Sequence, residues 1–190
     1  MQFFLGTHRP HWLWNLDIPL FVSRRTLQRY KTLHTATAPW ALDSGGFTEL
    51  SIHGKWTIDA ATYASELSRF QEIGNLQWAA PQDWMCEPWI IKKTGLNVEI
   101  HQQKTVQNYL ELKQLNAPVI PVLQGWDIAD YENCAILYQD YGVDLTRQNV
   151  VGLGSVCRRQ ATDEIGQIVQ WAKKNNINVH GFRSKICRTP

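Results

Sequence analysis

The chain has 190 residues, 44% hydrophobic and 19% charged, with a formal net charge of +2. That composition excludes a disordered chain, the length suits one domain over 1–190 rather than two, and without a run of about 18 apolar residues no transmembrane helix is expected. The charge is uneven: residues 1–31 carry five basic and one acidic side chain, residues 32–149 seven and fourteen, and residues 150–190 seven and two.

Phe3–Leu5 is the first strand candidate and Leu20–Val22 the second, after which Ser23 reads as the cap of a helix over Arg24–Lys31. Trp40–Leu42 is the third and runs into Asp43-Ser44-Gly45-Gly46. Ala60, Ala64, Leu67 and Phe70 share one face of a helix over Asp59–Ile73, and Leu76–Ala79 follows as the fourth strand. A longer connection holds Trp89-Ile90-Ile91 and a helix over Val98–Leu115. Val119–Leu123 is the fifth strand, although Pro121 withdraws one ladder donor. A helix over Ile128–Tyr141, a sixth strand over Asn149–Leu153, a helix opening at Thr162-Asp163-Glu164 and a seventh strand over Asn178–Phe182 complete the series. Strands alternating with helices predict a parallel α/β sheet, either doubly wound or rolled into a (β/α) barrel.

The polar residues gather just after these strands, where parallel α/β proteins build their sites. Asp43-Ser44-Gly45-Gly46 follows the third strand, Asp83 the fourth, and Gln124-Gly125 the fifth; Gly152-Leu153-Gly154-Ser155 ends the sixth and His180-Gly181 the seventh. Taken singly, Asp-Ser-Gly-Gly reads as a turn, Asp83 as a loop acid and His180 as a satisfied strand-end residue. Gln124 closes an apolar strand, where its amide needs partners, and that tilts it towards a ligand. Two carboxylates, an amide and exposed backbone can read the donor and acceptor edge of a purine, with Trp84, Phe47 or Met85 as a stacking lid. Cys86, Cys134, Cys157 and Cys187 form no CxxC pair, so free thiols are expected, with no metal and no cofactor. The first residues lack the basic start and apolar stretch of a signal peptide, which points to the cytoplasm.

Asp43-Ser44-Gly45-Gly46-Phe47 resembles the Asp-Ser-Gly-Gly-Phe motif of the tRNA-guanine transglycosylases. Asp83 in its D-x-x-x-x-P segment resembles their second base-contacting aspartate. Val122-Leu123-Gln124-Gly125 resembles their Val-Gln-Gly strand end, and Val151-Gly152-Leu153 their Gly-Gly-Leu turn. The compact length, the opening Leu5–Trp12 and His180-Gly181-Phe182 are most similar to the DNA-modifying branch, DpdA-like and queuine tRNA-ribosyltransferase-like.

The resemblance implies a TIM (β/α) barrel, here of about seven units. It implies exchange of guanine in DNA for a free 7-deazaguanine through a covalent nucleic-acid intermediate. Asp43 is the implied catalytic residue. Asp43 and Asp83 would hold the base, Gln124 and Gly152 its carbonyl edge, and Ser44, Gly45, Gly125 and Leu153 belong to the same substrate-binding motifs. The family's clustered Cys and His zinc ligands have no counterpart. Its nucleophilic aspartate lies on the strand after the one matching Val179–Phe182, where this chain has no Asp or Glu. One βα unit is therefore expected to be wanting, with a second copy or a partner subunit completing the barrel. An inactive purine- or nucleic-acid-binding remnant and a tRNA-guanine transglycosylase stand as alternatives.

Overall fold

The computed structural model describes residues 3–157, 159 and 163–182. Four parallel strands, β1 (Leu5–Thr7), β2 (Leu20–Ser23), β3 (Trp40–Asp43) and β4 (Leu76–Ala79), form one sheet in that order. Three more, β5 (Val122–Leu123), β6 (Val151–Leu153) and β7 (Val179–Gly181), form a second parallel sheet. One parallel bridge from Ala79 to Val119 connects them, flanked by a 3.1 Å bond from Ile120 N–H to the Ala79 carbonyl. Pro121 has no N–H to give, so the ladder resumes only at Val122, and the strand expected from Val119 shrinks to two residues.

The parallel α/β class agrees with the alternating pattern. Among the described residues no ladder joins β7 to β1, so the seven-unit barrel that the resemblance implies is not closed there. The inner faces of the two sheets nevertheless meet. Phe21 on β2 stacks on Phe182 beyond β7 at 5.7 Å, and Phe4 meets His180 edge-on at 5.9 Å.

Side-chain alternation explains this packing. Phe21, Ala41 and Trp78 stand in register on the inner face, as do Val122, Gly152 and His180. Val22, Trp40, Leu42 and Leu153 point outward into the main core. Covering that outer face are α4 (Ala60–Gln71), α6 (Val98–Gln114), α7 (Ile128–Asp140) and α8 (Asp163–Lys174). Truncating a fully buried leucine such as Leu42 would cost about 2–5 kcal/mol. Asp59 caps α4 by accepting from Thr62 N–H at 2.8 Å, and Asn97 caps α6 through Ile100 N–H at 2.8 Å.

Short helices α1 (Trp12–Asn15), α2 (Arg24–Leu27), α3 (Gly46–Thr48) and α5 (Pro88–Thr94) fill the connections. The helix expected over Arg24–Lys31 is only one turn, and Ser23 makes no side-chain cap; its hydroxyl serves Asp43 instead. α5 lies in the connection left unassigned around Trp89-Ile90-Ile91 and starts on Pro88, a residue suited to a first turn. No helix of the described residues is long and apolar enough to cross a membrane.

Candidate functional site

A cavity opens at the C-terminal ends of the strands, directly above the inner ring cluster. Phe21 and Phe182 form its base, and Phe47 and Met85 an apolar wall. Thr7 and His8 at the end of β1, Ser23 on β2 and Asp43 on β3 contribute polar groups. Asp83 and Glu87 after β4, and Gly154 and Ser155 after β6, complete the polar side. Its volume is about 70 Å³, several times the ~10–15 Å³ that a single water requires.

Asp43 is the last residue of β3 and lies in register with Ser23, so the parallel ladder itself puts the Ser23 hydroxyl beside the Asp43 carboxylate. Gly45 N–H donates to Asp43 Oδ1 at 3.1 Å. Gly45 holds φ +85°, and a Cβ there would sit 2.8 Å from Arg25 Cγ, so this turn excludes a side chain twice over. Desolvation raises the Asp43 pKa; the Gly45 and Ser23 bonds and the charge of His8 oppose it. Behind the turn, α3 passes into a π-helical segment, Glu49–His53. There the buried Glu49 carboxylate accepts from Arg25 at 2.9 Å and from the Thr57 hydroxyl at 2.6 Å. Arg24 is buried and bonded to Glu66. Arg24 and Arg25 of the N-terminal segment are thus both paired with carboxylates.

Asp83 is 6% exposed. Its Oδ2 accepts from Gln124 Nε2, and its Oδ1 from the Ser44 hydroxyl at 3.3 Å. Burial first, and the negative charge of Asp43 second, push its pKa up to about 7 despite those donors. A carboxyl group poised near 7 beside a second carboxylate can hold or release a proton under neutral conditions.

Gln124 is fully buried behind this wall. Its Oε1 lies 2.7 Å from Ser155 Oγ, and its backbone carbonyl accepts from Gln102 Nε2 at 2.7 Å. Gly154 makes room for it, since a Cβ there would fall 2.3 Å from Gln124 Nε2. Ser155 Oγ accepts from Cys86 N–H at 2.7 Å and lies 3.1 Å from Glu87 Oε2. Its single proton therefore faces two acceptors, Gln124 and Glu87. Ser155 also holds φ +54°, a left-handed conformation that costs a non-glycine residue about 1 kcal/mol or more and that gathers at functional sites.

The expected site residues fall into three groups. Asp43 and Asp83 line the cavity, and Ser44 and Gly45 hold those carboxylates. Gln124 reaches Asp83 rather than the open space, so the buried amide finds its partners within the protein. Gly125, Gly152 and Leu153 stand back from the cavity. A Cβ on Gly125 would meet Asp130 of α7 at 2.6 Å, one on Gly152 would meet Phe182 at 2.5 Å, and the Leu153 side chain lies in the main core. Of the lid candidates, Phe47 and Met85 line the cavity, whereas Trp84 packs against His101 at 5.2 Å and beneath Lys104 at 4.7 Å. His180 sits among the inner rings, where burial lowers its pKa.

His8, Ser23, Glu87 and Ser155 are cavity residues that the motifs did not single out. Ser23 was signalled by its place at the end of an apolar strand, and Glu87 and Ser155 lie within the segments that carry Asp83 and Gly152. Cys86 and Cys134 are free thiols, the Cys157 thiol donates to the Phe182 carbonyl at 3.0 Å, and burial pushes the Cys134 pKa up to about 12. Cys187 lies outside the described residues. Among the described residues no three His, Cys, Asp or Glu side chains are grouped to hold a metal ion.

A ring-floored slot with acceptors on one wall suits a flat heterocycle bearing N–H donors. Neither a curated protein nor a solved structure matches the chain significantly. The protein-family model described as DpdA, DeoxyPurine in DNA protein A, matches residues 1–188. The four motifs, the carboxylate pair they bring together and this nearly full-length match place the chain in the DpdA family, a tRNA-guanine-transglycosylase-like family involved in DNA modification.

Proposed function

We propose that the cavity binds a purine base and that the chain exchanges guanine in DNA for a 7-deazaguanine. The observation that carries this reading is the pairing of Asp83 with Asp43 above the Phe21 and Phe182 rings, in a chain of the DpdA family. Guanine presents N1–H and an exocyclic amine as donors, and a carboxylate matches both. When the bond from N9 to C1′ breaks, the electron pair stays with the base. Burial raises the Asp43 pKa, so its carboxyl can return a proton to the base and, once ionised, face the positive charge growing on the sugar. Asp43 is the residue we assign to proton movement and Asp83 the residue that holds the base.

The fold belongs to the same proposal. Seven parallel strands with inner faces in contact support a (β/α) barrel of about seven units, which a second copy or partner subunit would complete. A second reading, base binding without exchange, is favoured by one observation: the resemblance assigns no residue of this chain to attack C1′.

Labelled guanine offered with double-stranded DNA and with tRNA separates these readings. Label entering DNA supports the proposal, and label entering tRNA alone replaces it with a tRNA enzyme. Bound 7-deazaguanine with no label in either polymer supports the second reading.

A further inference from the structure

We propose that a basic, aromatic surface running outward from the cavity mouth, built on Arg9, Arg29 and Lys31, binds backbone phosphates of the DNA strand whose base enters the cavity. The proposal deepens the reading of DNA as the substrate and rests on it. Its starting point is the uneven charge of the chain: Asp17 is the sole acid of residues 1–42, against five lysines and arginines. Two of those five, Arg24 and Arg25, are paired with Glu66 and Glu49. Arg9, Arg29 and Lys31 stand exposed and form no ion pair among the described residues.

Both segments that carry these cations leave from the cavity rim, where His8 follows β1 and Ser23 ends β2. From His8 the chain enters a turn closed by Trp12 N–H on the Arg9 carbonyl at 3.0 Å, and the Arg9 guanidinium lies over the Trp12 ring at 5.6 Å. From Ser23 it passes through α2 to Arg29, Tyr30 and Lys31. The two segments meet at Trp14, which packs on Tyr30 at 5.7 Å and on His34 at 5.3 Å. There His11, Trp14, Arg29, Tyr30 and Lys31 line one open hollow. Arg69 of α4 anchors its backbone by donating to the Tyr30 and Lys31 carbonyls. A base that reacts in the cavity must leave the stack, so the strand that carries it crosses the rim. Cations interleaved with rings suit such a strand, the charges meeting phosphates and the rings unstacked bases. Contacts of this kind position the strand and do not read its sequence.

The test uses the full chain and labelled duplex DNA, with binding followed by fluorescence anisotropy across a series of salt concentrations. The double variant Arg29→Gln, Lys31→Gln is expected to bind about tenfold more weakly than wild type, and to flatten the plot of log affinity against log salt by about 2. The control Lys173→Gln, Lys174→Gln removes the same charge from the exposed end of α8 and should stay within about twofold of wild type, since salt screens distant charges. Wild-type affinity and slope in the first variant, or an equal loss in the control, overturns this surface and leaves DNA as the substrate. Binding of tRNA but not of duplex DNA by the wild type, or of neither, overturns the DNA reading and this proposal together. The single changes Arg29→Gln and Lys31→Gln, each expected to flatten the slope by about 1, carry the same test should the double variant fail to fold.

Discussion

Gln124 donates from Nε2 to Asp83 Oδ2 across 41 positions of sequence, and the oxygen end of the same amide faces Ser155 Oγ at 2.7 Å. The amide is thus oriented from both sides, and its N–H end favours the ionised form of Asp83. Gln124→Leu removes that donor and should raise the Asp83 pKa further above about 7. If base binding requires the carboxylate, the lower limb of its pH profile shifts upward in the variant. A profile that superposes on the wild type would contradict the role given to Gln124.

Asp83 also fixes a stability trend. Its folded pKa of about 7 lies above the unfolded value of 3.8, so between those values the native state holds more of the proton than the unfolded chain. This group therefore favours folding least above pH 7, and the penalty fades as pH falls towards 4. Asp83→Asn removes the titration, and with its oxygen towards Gln124 its amide can donate to the Ser44 hydroxyl. Thermal melts should show the variant more stable than wild type at pH 8, by a few kcal/mol at most, with the gap closing towards pH 4. A gap independent of pH would show that Asp83 titrates normally in the folded chain.

Two glycines give opposite expectations. Gly154→Ala drives a Cβ to 2.3 Å from Gln124 Nε2, and Gln124 is pinned at both ends of its side chain. The substitution should cost about 1–3 kcal/mol and weaken base binding. Gly166, within α8, has nothing within 4 Å of the position its Cβ would take. Gly166→Ala should stabilise the chain by about 0.5–1 kcal/mol. Urea denaturation of the two variants checks both signs.

The rim separates two aromatic side chains that the sequence presents alike. Phe47 is 43% exposed and lines the cavity, so Phe47→Ala should leave stability within about 1 kcal/mol of wild type. Lost stacking should lower base affinity by roughly tenfold. Trp84→Phe should leave base affinity unchanged, because Trp84 packs on His101 and Lys104 outside the cavity. Comparable losses of affinity in both variants would contradict the lining.

Asp43 and Asp83 were legible because each follows an apolar strand, and a strand end fixes where its next residues emerge. The seven strands were legible from short apolar runs, and their ends moved where backbone donors ran out, as at Pro121. The polar wall was not legible in the same way. Ser155 and Glu87 are 68 positions apart and meet only through the fold. Gln124 shows the limit most clearly: a buried amide demands partners, but the sequence does not say whether a ligand or Asp83 supplies them. Gly125 and Gly152 carry the motif glycines for a packing reason, the close approach of α7 and of Phe182.

The claim that Asp83 anchors a purine in this cavity is tested most directly by titrating guanine and 7-deazaguanine into the wild type and Asp83→Ala, with circular dichroism confirming that both are folded. Measurable binding by the wild type and none by Asp83→Ala is the predicted result. Equal binding by the two folded proteins would contradict the account.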